Sequence, residues 1–420
     1  MHIIQKYEHE KLFIGEQGFT QAHWKALLKL NEKFDNRYFD VLHNGIKMKQ
    51  YVGVIQIDNL LIEIHPKADR NSGNEKWKNL LLPMLKSTGQ LKAETAGEAH
   101  VSRQHLNLLE VYFELFLRRL ETLIHRGLIK QYRKNTANTK ALKGKLEFAG
   151  NIRQNLVHRE RFYTRHQVYD TDHLLHRVLR LATEIVQSFT QGTRLADYSN
   201  RILWAFPEVS KVTVTGQLLQ KIVLNRKSGH YAGALELARL IILNYSPDIK
   251  GGQQKMLSLL FDMNELWETY VLRILQKTVN EHPGYAHFEV SGQVKKSFIA
   301  GRSLVPDVVI RNKKTGETFV LDTKWKTPQD DTASIADLRQ MYVYGRYWQA
   351  KKLILLYPSV ETKNPEFEKF HVQDYSLTLE NGQEQIREIR HRCKTAFIPV
   401  MNQAGSLNEK LGEEILDLFQ

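Results

Sequence analysis

The stretch LVPDVVIRNKKTGETFVLDTKWK, residues 304–326, constrains this chain more than any other. Two β-type runs, LVPDVVIRN and TFVLDTKW, flank KKTG, which reads as a hairpin turn. Each run carries one Asp among branched apolar residues, Asp307 and Asp322. Desolvating an isolated carboxylate is costly, and two on neighbouring strands oppose each other's ionisation. A divalent cation relieves both costs. Mg²⁺ takes oxygen ligands, commonly one or two carboxylates, and retains waters that can act as nucleophiles. Asp307 and Asp322 would supply the carboxylates, with the backbone carbonyl of Thr323 as a further ligand. Strand alternation puts Lys324 on the same face as Asp322, where an ammonium can orient water and offset phosphate charge. The pattern predicts phosphodiester hydrolysis. The competing readings are structural: Asp307 paired with Arg302 or Arg311, and Asp322 with Lys324 as an exposed salt bridge on an edge strand.

The flanking sequence predicts the rest of that domain. Met256, Leu259, Leu260, Met263, Leu266, Trp267, Tyr270, Val271 and Ile274 follow helical spacing and predict one long amphipathic helix. A β-type run at HFEVSG precedes the hairpin, a helix from about Ile335 to Trp348 follows it, and the apolar strand LILLY comes next. The order is helix, three strands, helix, strand.

With 420 residues, the chain exceeds what one core usually organises. YVGVIQIDNLLIEIHP reads as a hairpin within a small N-terminal α+β domain, residues 1–100. LNLLEVYFELFLRRLETLIHRGL opens a mainly helical, basic domain at 101–247, with Gly127 as the C-cap of its first helix. SPDIKGG is the linker candidate before the third domain, 248–420. His173 and His176 stand one turn apart without a third ligand and are read as surface or packing histidines.

Sixty Lys and Arg against 46 Asp and Glu give a formal charge of +14, which favours a polyanionic partner. Nine Lys or Arg against three Glu fall between Glu121 and Glu160. Within that stretch NTANTKALKGK, residues 135–145, reads as a loop that meets phosphates or an acidic protein surface, and Arg126, Lys130, Arg133, Lys134, Lys140, Lys143, Lys145 and Arg153 are the candidate contacts of the basic stretch; the alternative is a solvated loop. The single cysteine, Cys393, excludes an internal disulfide and a CxxC metal site. The first residues lack the apolar core of a signal peptide, and no run reaches membrane-spanning length, so a cytoplasmic chain without a membrane partner is predicted.

Pro306, Asp307, Asp322 and Lys324 stand at the four positions of a pattern that resembles the PD-(D/E)XK nuclease signature. That superfamily's core is αβββαβ, the order read above. The resemblance implies a supporting acidic residue on the preceding helix, at Glu268 in NELWETY, and assigns Gln340 and Tyr344 to the QxxxY motif of the RecB-like branch. Lys326 is a candidate DNA contact. RGLIKQYRKNTANTKALKGKLEFAGNIRQ and VYDTDHLLHRVLRLA, together with LLFDMNELWETYV and VLDTKWK, are similar to the McrC family of nuclease subunits of modification-dependent restriction systems, over roughly 101–420. That resemblance implies a Mg²⁺-dependent DNA endonuclease, with Mn²⁺ as a substitute, acting on modified double-stranded DNA. It also implies an McrB-type AAA+ GTPase ring as partner and GTP bound by that partner. The sequence itself contains no GxxxxGK[ST] phosphate loop and no zinc finger. Two alternatives stay open: an adaptor or ring activator whose nuclease site is vestigial, and a stand-alone RecB-like nuclease.

Overall fold

The computed structural model describes residues 2–68, 80–91, 108–246, 255–326, 328, 331–371, 376–378, 384–386, 391–402 and 405–419. Most of SPDIKGG, from residue 247 on, lies outside them. The chain is mixed α/β and forms two compact units, one of residues 1–54, 60–93 and 260–420, the other of 55–59 and 94–259. Residues of the first and third sequence segments thus share one unit.

In that unit the strand His2–Tyr7 pairs in parallel with Leu60–His65. Strands Tyr51–Ile57 and Leu60–His65 are joined by Asp58 and Asn59, with Asp58 in the left-handed region at φ +49°, as a tight polar turn requires.

Eight elements lead into and frame the paired carboxylates. Helix α1 (Met263–Glu281) begins at Asp262, whose side chain caps Asn264 N–H at 2.9 Å. Its buried face carries Leu266, Trp267, Tyr270, Val271 and Leu275. Strand β1 (Phe288–Gly292) is followed by a small hairpin, β2 (Lys296–Ile299) and β3 (Arg302–Leu304), then by β4 (Val308–Asn312) and β5 (Thr318–Thr323). Helix α2 (Ile335–Trp348) leads to β6 (Lys352–Ser359). With Glu368–Lys369 and Arg392–Pro399, strands β1, β4, β5 and β6 form a six-stranded sheet in which β1–β4–β5 are antiparallel and β5–β6 parallel. Six consecutive residues of β6 are buried, as expected of a central parallel strand covered on both faces. Met341, Tyr344 and Trp348 of α2 pack on Val320, Leu353, Leu355 and Tyr357 of the sheet.

One boundary departs from the sequence reading. Met256–Asp262 is a strand, not the first turns of α1. Met256, Leu257, Ser258 and Leu259 are all buried, so this run has no solvent face and its apparent helical spacing is accidental.

In the other unit, helix Leu108–His125 buries Leu109, Tyr112, Phe113, Phe116, Leu117 and Leu120, and Gly127 follows at φ +83°. Helices Leu174–Thr190, Ala196–Ala205, Gly216–Gln220 and Ala232–Asn244 follow later in the same unit. The first part of the expected loop, 135–139, instead belongs to a strand, Gln131–Thr139, paired antiparallel along its whole length with Phe162–Asp170, while 140–144 lie outside any helix or strand. Lys145–Leu146 joins the same sheet, and Phe148–Asn155 is helical. QYRKNTANT has no apolar stripe to announce a strand. It is held by a forked Arg133–Asp170 pair across the strands and by an Asn138–Asn155 amide pair to the helix Phe148–Asn155 at 2.7 and 2.9 Å. His173 and His176 are buried rather than on the surface. His176 Nδ1 lies 2.8 Å from the Thr171 carbonyl oxygen, and its Nε2 lies 3.2 Å from Tyr231 Oη. Both are packing residues.

Candidate active site

Antiparallel pairing of Val308 with Leu321 brings Asp307 and Asp322 to adjacent positions where β4 begins and β5 ends. Asp307 Oδ2 accepts hydrogen bonds from Thr323 N–H at 2.6 Å and the Thr323 hydroxyl at 2.8 Å. Asp322 is 1% exposed, on a strand flanked on both sides, which excludes the reading of an exposed salt bridge at a sheet edge. Its Oδ2 lies 2.7 Å from Lys324 Nζ, yet the direction of approach leaves that oxygen without an aligned hydrogen bond. Burial raises the pKa of both carboxyls. The charge of Asp307 adds to the rise at Asp322, and the Lys324 ammonium opposes both.

Helix α2 braces this pair. Ser334 caps its N-terminus, and Gln340 reaches down to the sheet. Gln340 Nε2 lies 3.3 Å from Asp322 Oδ1, and its Oε1 accepts from Lys324 Nζ at 3.3 Å. The same Nε2 lies 2.8 Å from the Tyr344 hydroxyl, which donates to the Val305 carbonyl at 2.9 Å. Gln340 and Tyr344 therefore tie α2 both to Asp322 and to the segment that carries Asp307. Glu268 on α1 is half-buried, and its Oε1 accepts from Gln293 Nε2 at 2.9 Å. Its pKa is raised by burial and then by Asp307, so the carboxylates share one electrostatic neighbourhood.

Sequence reasoning missed three residues. Asp337 is a further carboxylate here and is buried, bound by Ser334 Oγ at 2.7 Å and Lys326 Nζ at 3.0 Å, with Lys324 Nζ at 3.9 Å. Ser-x-x-Asp at 334–337 is a helix-start pattern that could have marked it. Gln293, which holds Glu268, had no signal. Nor had Glu8: its Oε2 accepts from Trp325 Nε1 and from Lys67 N–H, each at 2.8 Å. Trp325 directly follows Lys324, and its ring lies 5.9 Å from that of Trp267, beside Glu268.

Burial lifts the Glu8 carboxyl from its ordinary 4.5 to about 7. A raised acid stabilises the fold fully below its unfolded pKa and loses that contribution as pH rises through the folded value. In urea unfolding, the difference between wild type and Glu8→Gln should change by about 3 kcal/mol from pH 4.5 to pH 8, with wild type losing ground. A pH-independent difference would contradict this assignment.

Among the described residues no three His, Cys, Asp or Glu side chains stand together as a ready-made metal cage. The donor set is two carboxylates and an oxygen-rich surround, with one buried carboxylate oxygen lacking an aligned donor. That fits a hard cation completed by water and substrate rather than an all-protein cage.

Of the basic candidates in the other unit, Arg133 is engaged by Asp170 and Asp172 at 2.9 and 3.3 Å. Arg126, Lys130, Lys134, Lys140, Lys143, Lys145 and Arg153 are exposed. They share their segment with the exposed apolar residues Tyr132, Leu142, Phe148 and Ile152.

No helix among the described residues is long and apolar enough to cross a membrane. The sequence model of McrBC 5-methylcytosine restriction system components matches residues 46–358. No curated protein matches the chain. Among solved structures, the chain resembles one in the refined half-complex from the tetradecameric assembly of Thermococcus gammatolerans McrB AAA+ hexamers with bound McrC. Identity there is 21%, coverage is 100% of both chains, and the TM-score is 0.67. A chain of the Thermococcus gammatolerans McrBC complex matches at 23% identity over 66% of this chain and 88% of that one, with a TM-score of 0.48.

Proposed function

The chain belongs to the family of McrBC 5-methylcytosine restriction system components, and from that membership we propose that it is the Mg²⁺-dependent nuclease subunit of such a system, with a PD-(D/E)XK core in residues 248–420. The observation that carries the reading is the pairing of half-buried Asp307 with buried Asp322 beside Lys324, with one Asp322 oxygen short of an aligned donor. Asp307 and Asp322, with Glu268 and the Thr323 carbonyl, would hold Mg²⁺ or Mn²⁺. The ion supplies Lewis acidity toward a phosphodiester oxygen. Thr323 N–H and Oγ fix the rotamer of Asp307. Gln340 orients both Asp322 and Lys324, and Tyr344 holds the backbone that enters β4. The Lys324 ammonium, kept protonated by Asp322 although burial opposes it, offsets charge on the phosphate. Lys326 is held by Asp337 at the rim of this group, half-exposed toward a DNA backbone.

The chain carries no phosphate loop, so the proposed partner is an McrB-type AAA+ GTPase ring that binds GTP and presents modified double-stranded DNA in the cytoplasm. Exposed lysines beside Phe148 and Ile152 supply both the charge and the apolar area a docking face uses. Charge reversal at Lys143 and Lys145 is expected to weaken ring association at least about tenfold, mainly through a slower on-rate. Unchanged association in sedimentation or surface-binding measurements would remove this face from the account. The reading as a whole is tested by incubating methylated and unmethylated DNA with the chain, the ring protein, GTP and Mg²⁺. Cleavage of methylated DNA that needs every component is the expected result. GTPase stimulation without cleavage of either DNA would favour the adaptor alternative.

A further inference from the structure

Among the described residues, the hairpin β2–β3 adjoins the carboxylates and has no part in the site as described above. Residues 293–306, QVKKSFIAGRSLVP, contain Lys295, Lys296 and Arg302 and no acidic residue. Every residue from Lys295 to Ser303 is exposed, including Phe298 at 50% and Ile299 at 61%. The two strands turn at Ala300 and Gly301, where Gly301 takes φ +75°, a conformation that disfavours a side chain. The register shifts between Ser297 and Ile299, a bulge at Phe298 that adds local twist.

Both stems are fixed to the candidate active site. On one side Gln293 N–H donates to the Asp307 carbonyl at 3.1 Å, while its side chain holds Glu268. On the other, Val305 accepts from Tyr344, two residues before Asp307. The hairpin also leans on α2. Lys296 Nζ donates to the Tyr347 carbonyl at 2.7 Å and lies 5.0 Å from the Trp348 ring centroid, and Phe298 meets Tyr347 edge-on at 5.5 Å. Lys296 is thus an anchor. Lys295 and Arg302 are exposed and, among the described residues, form no salt bridge.

We propose that β2–β3 is a wing that enters a groove of duplex DNA and seats the scissile strand against Asp307 and Asp322. A two-stranded β-ribbon matches the width of the major groove, cations at its stem meet flanking phosphates, and an apolar tip meets base edges and thymine methyls. Exposed Phe298 and Ile299 flanked by the exposed Lys295 and Arg302 suit that polyanionic, partly apolar partner. The proposal rests on the nuclease reading of the adjoining site.

The test is fluorescence anisotropy of a 5′-labelled DNA duplex of about 30 base pairs, roughly three turns of groove, titrated with the full-length chain carrying Asp322→Asn, across a salt series. Lys295→Ala with Arg302→Ala should weaken binding about tenfold and reduce the slope of log K against log[salt] by about two. Phe298→Ser with Ile299→Ser should weaken binding several-fold and leave the slope unchanged. Lys313→Ala with Lys314→Ala, at the turn end of the β4–β5 hairpin away from the carboxylates, serves as the charge control and should change little. Equal losses in the control and wing variants, or no loss in the wing variants, would overturn the proposal. Failure of the nuclease reading shows separately, as undiminished cleavage by the Asp322→Asn protein.

Discussion

Replacing Asp322 with Asn should reduce partner-dependent DNA cleavage by about 10³-fold or more, the effect of losing several kcal/mol of charge stabilisation. It should do so without destabilising the cation-free protein. Asp322 is 1% exposed, its charge is opposed by Asp307, and one of its oxygens lacks an aligned donor. An amide of the same shape removes the repulsion and the desolvation cost. The orphaned partner is the less costly one, because the Lys324 side chain is 23% exposed and keeps Gln340 within reach. Cleavage and urea unfolding in EDTA should therefore move in opposite directions. A variant that cuts like wild type, or one that loses stability in step with activity, would contradict the role given to Asp322.

Lys324→Met reverses that asymmetry. It leaves Asp307 and Asp322 facing each other without their cation, and removing one partner of a buried pair costs about 3 kcal/mol or more. The cation-free variant should lose roughly that much stability in urea, and most at neutral pH, where both carboxyls are driven to ionise. Millimolar Mg²⁺ should restore part of it, because the ion takes over the compensation. Cleavage should fall by about 10²- to 10³-fold, the range for one group that stabilises developing charge. If Lys324→Met is as stable as wild type in EDTA at pH 8, the ion pair is not what holds the carboxylates in the fold.

These two variants separate because Asp322, inside β5, and Lys324, one residue beyond its end, differ in burial. The sequence allowed the pairing to be read but not that difference. Alternation along TFVLDTKW put Asp322 and Lys324 on one face, and the turn at KKTG brought Asp307 alongside; both follow from local geometry. The helix, three-strand, helix, strand order of the main sheet was legible for the same reason, whereas the hairpin β2–β3 between its first two strands was not read. Met256–Asp262 misled because a mostly apolar run satisfies helical and strand periods alike, and only the Asp262 cap marks where α1 begins. The basic stretch misled in the opposite way. Its strand has no apolar face and depends on Phe162–Asp170, more than twenty residues onward. The Glu8–Trp325 bond joins positions 317 apart, and no local pattern reports such a contact.

The most direct test of the central claim is the effect of Mg²⁺ on stability, measured by thermal or urea unfolding of wild type and Asp307→Asn/Asp322→Asn protein without DNA or partner. If the paired carboxylates are a cation site, wild type should gain about 2.7 kcal/mol at 100 times the dissociation constant. The double variant should gain nothing beyond the effect of added NaCl at matched ionic strength. An equal gain in both proteins, or none in wild type up to tens of millimolar Mg²⁺, would mean that Asp307 and Asp322 do not hold a cation.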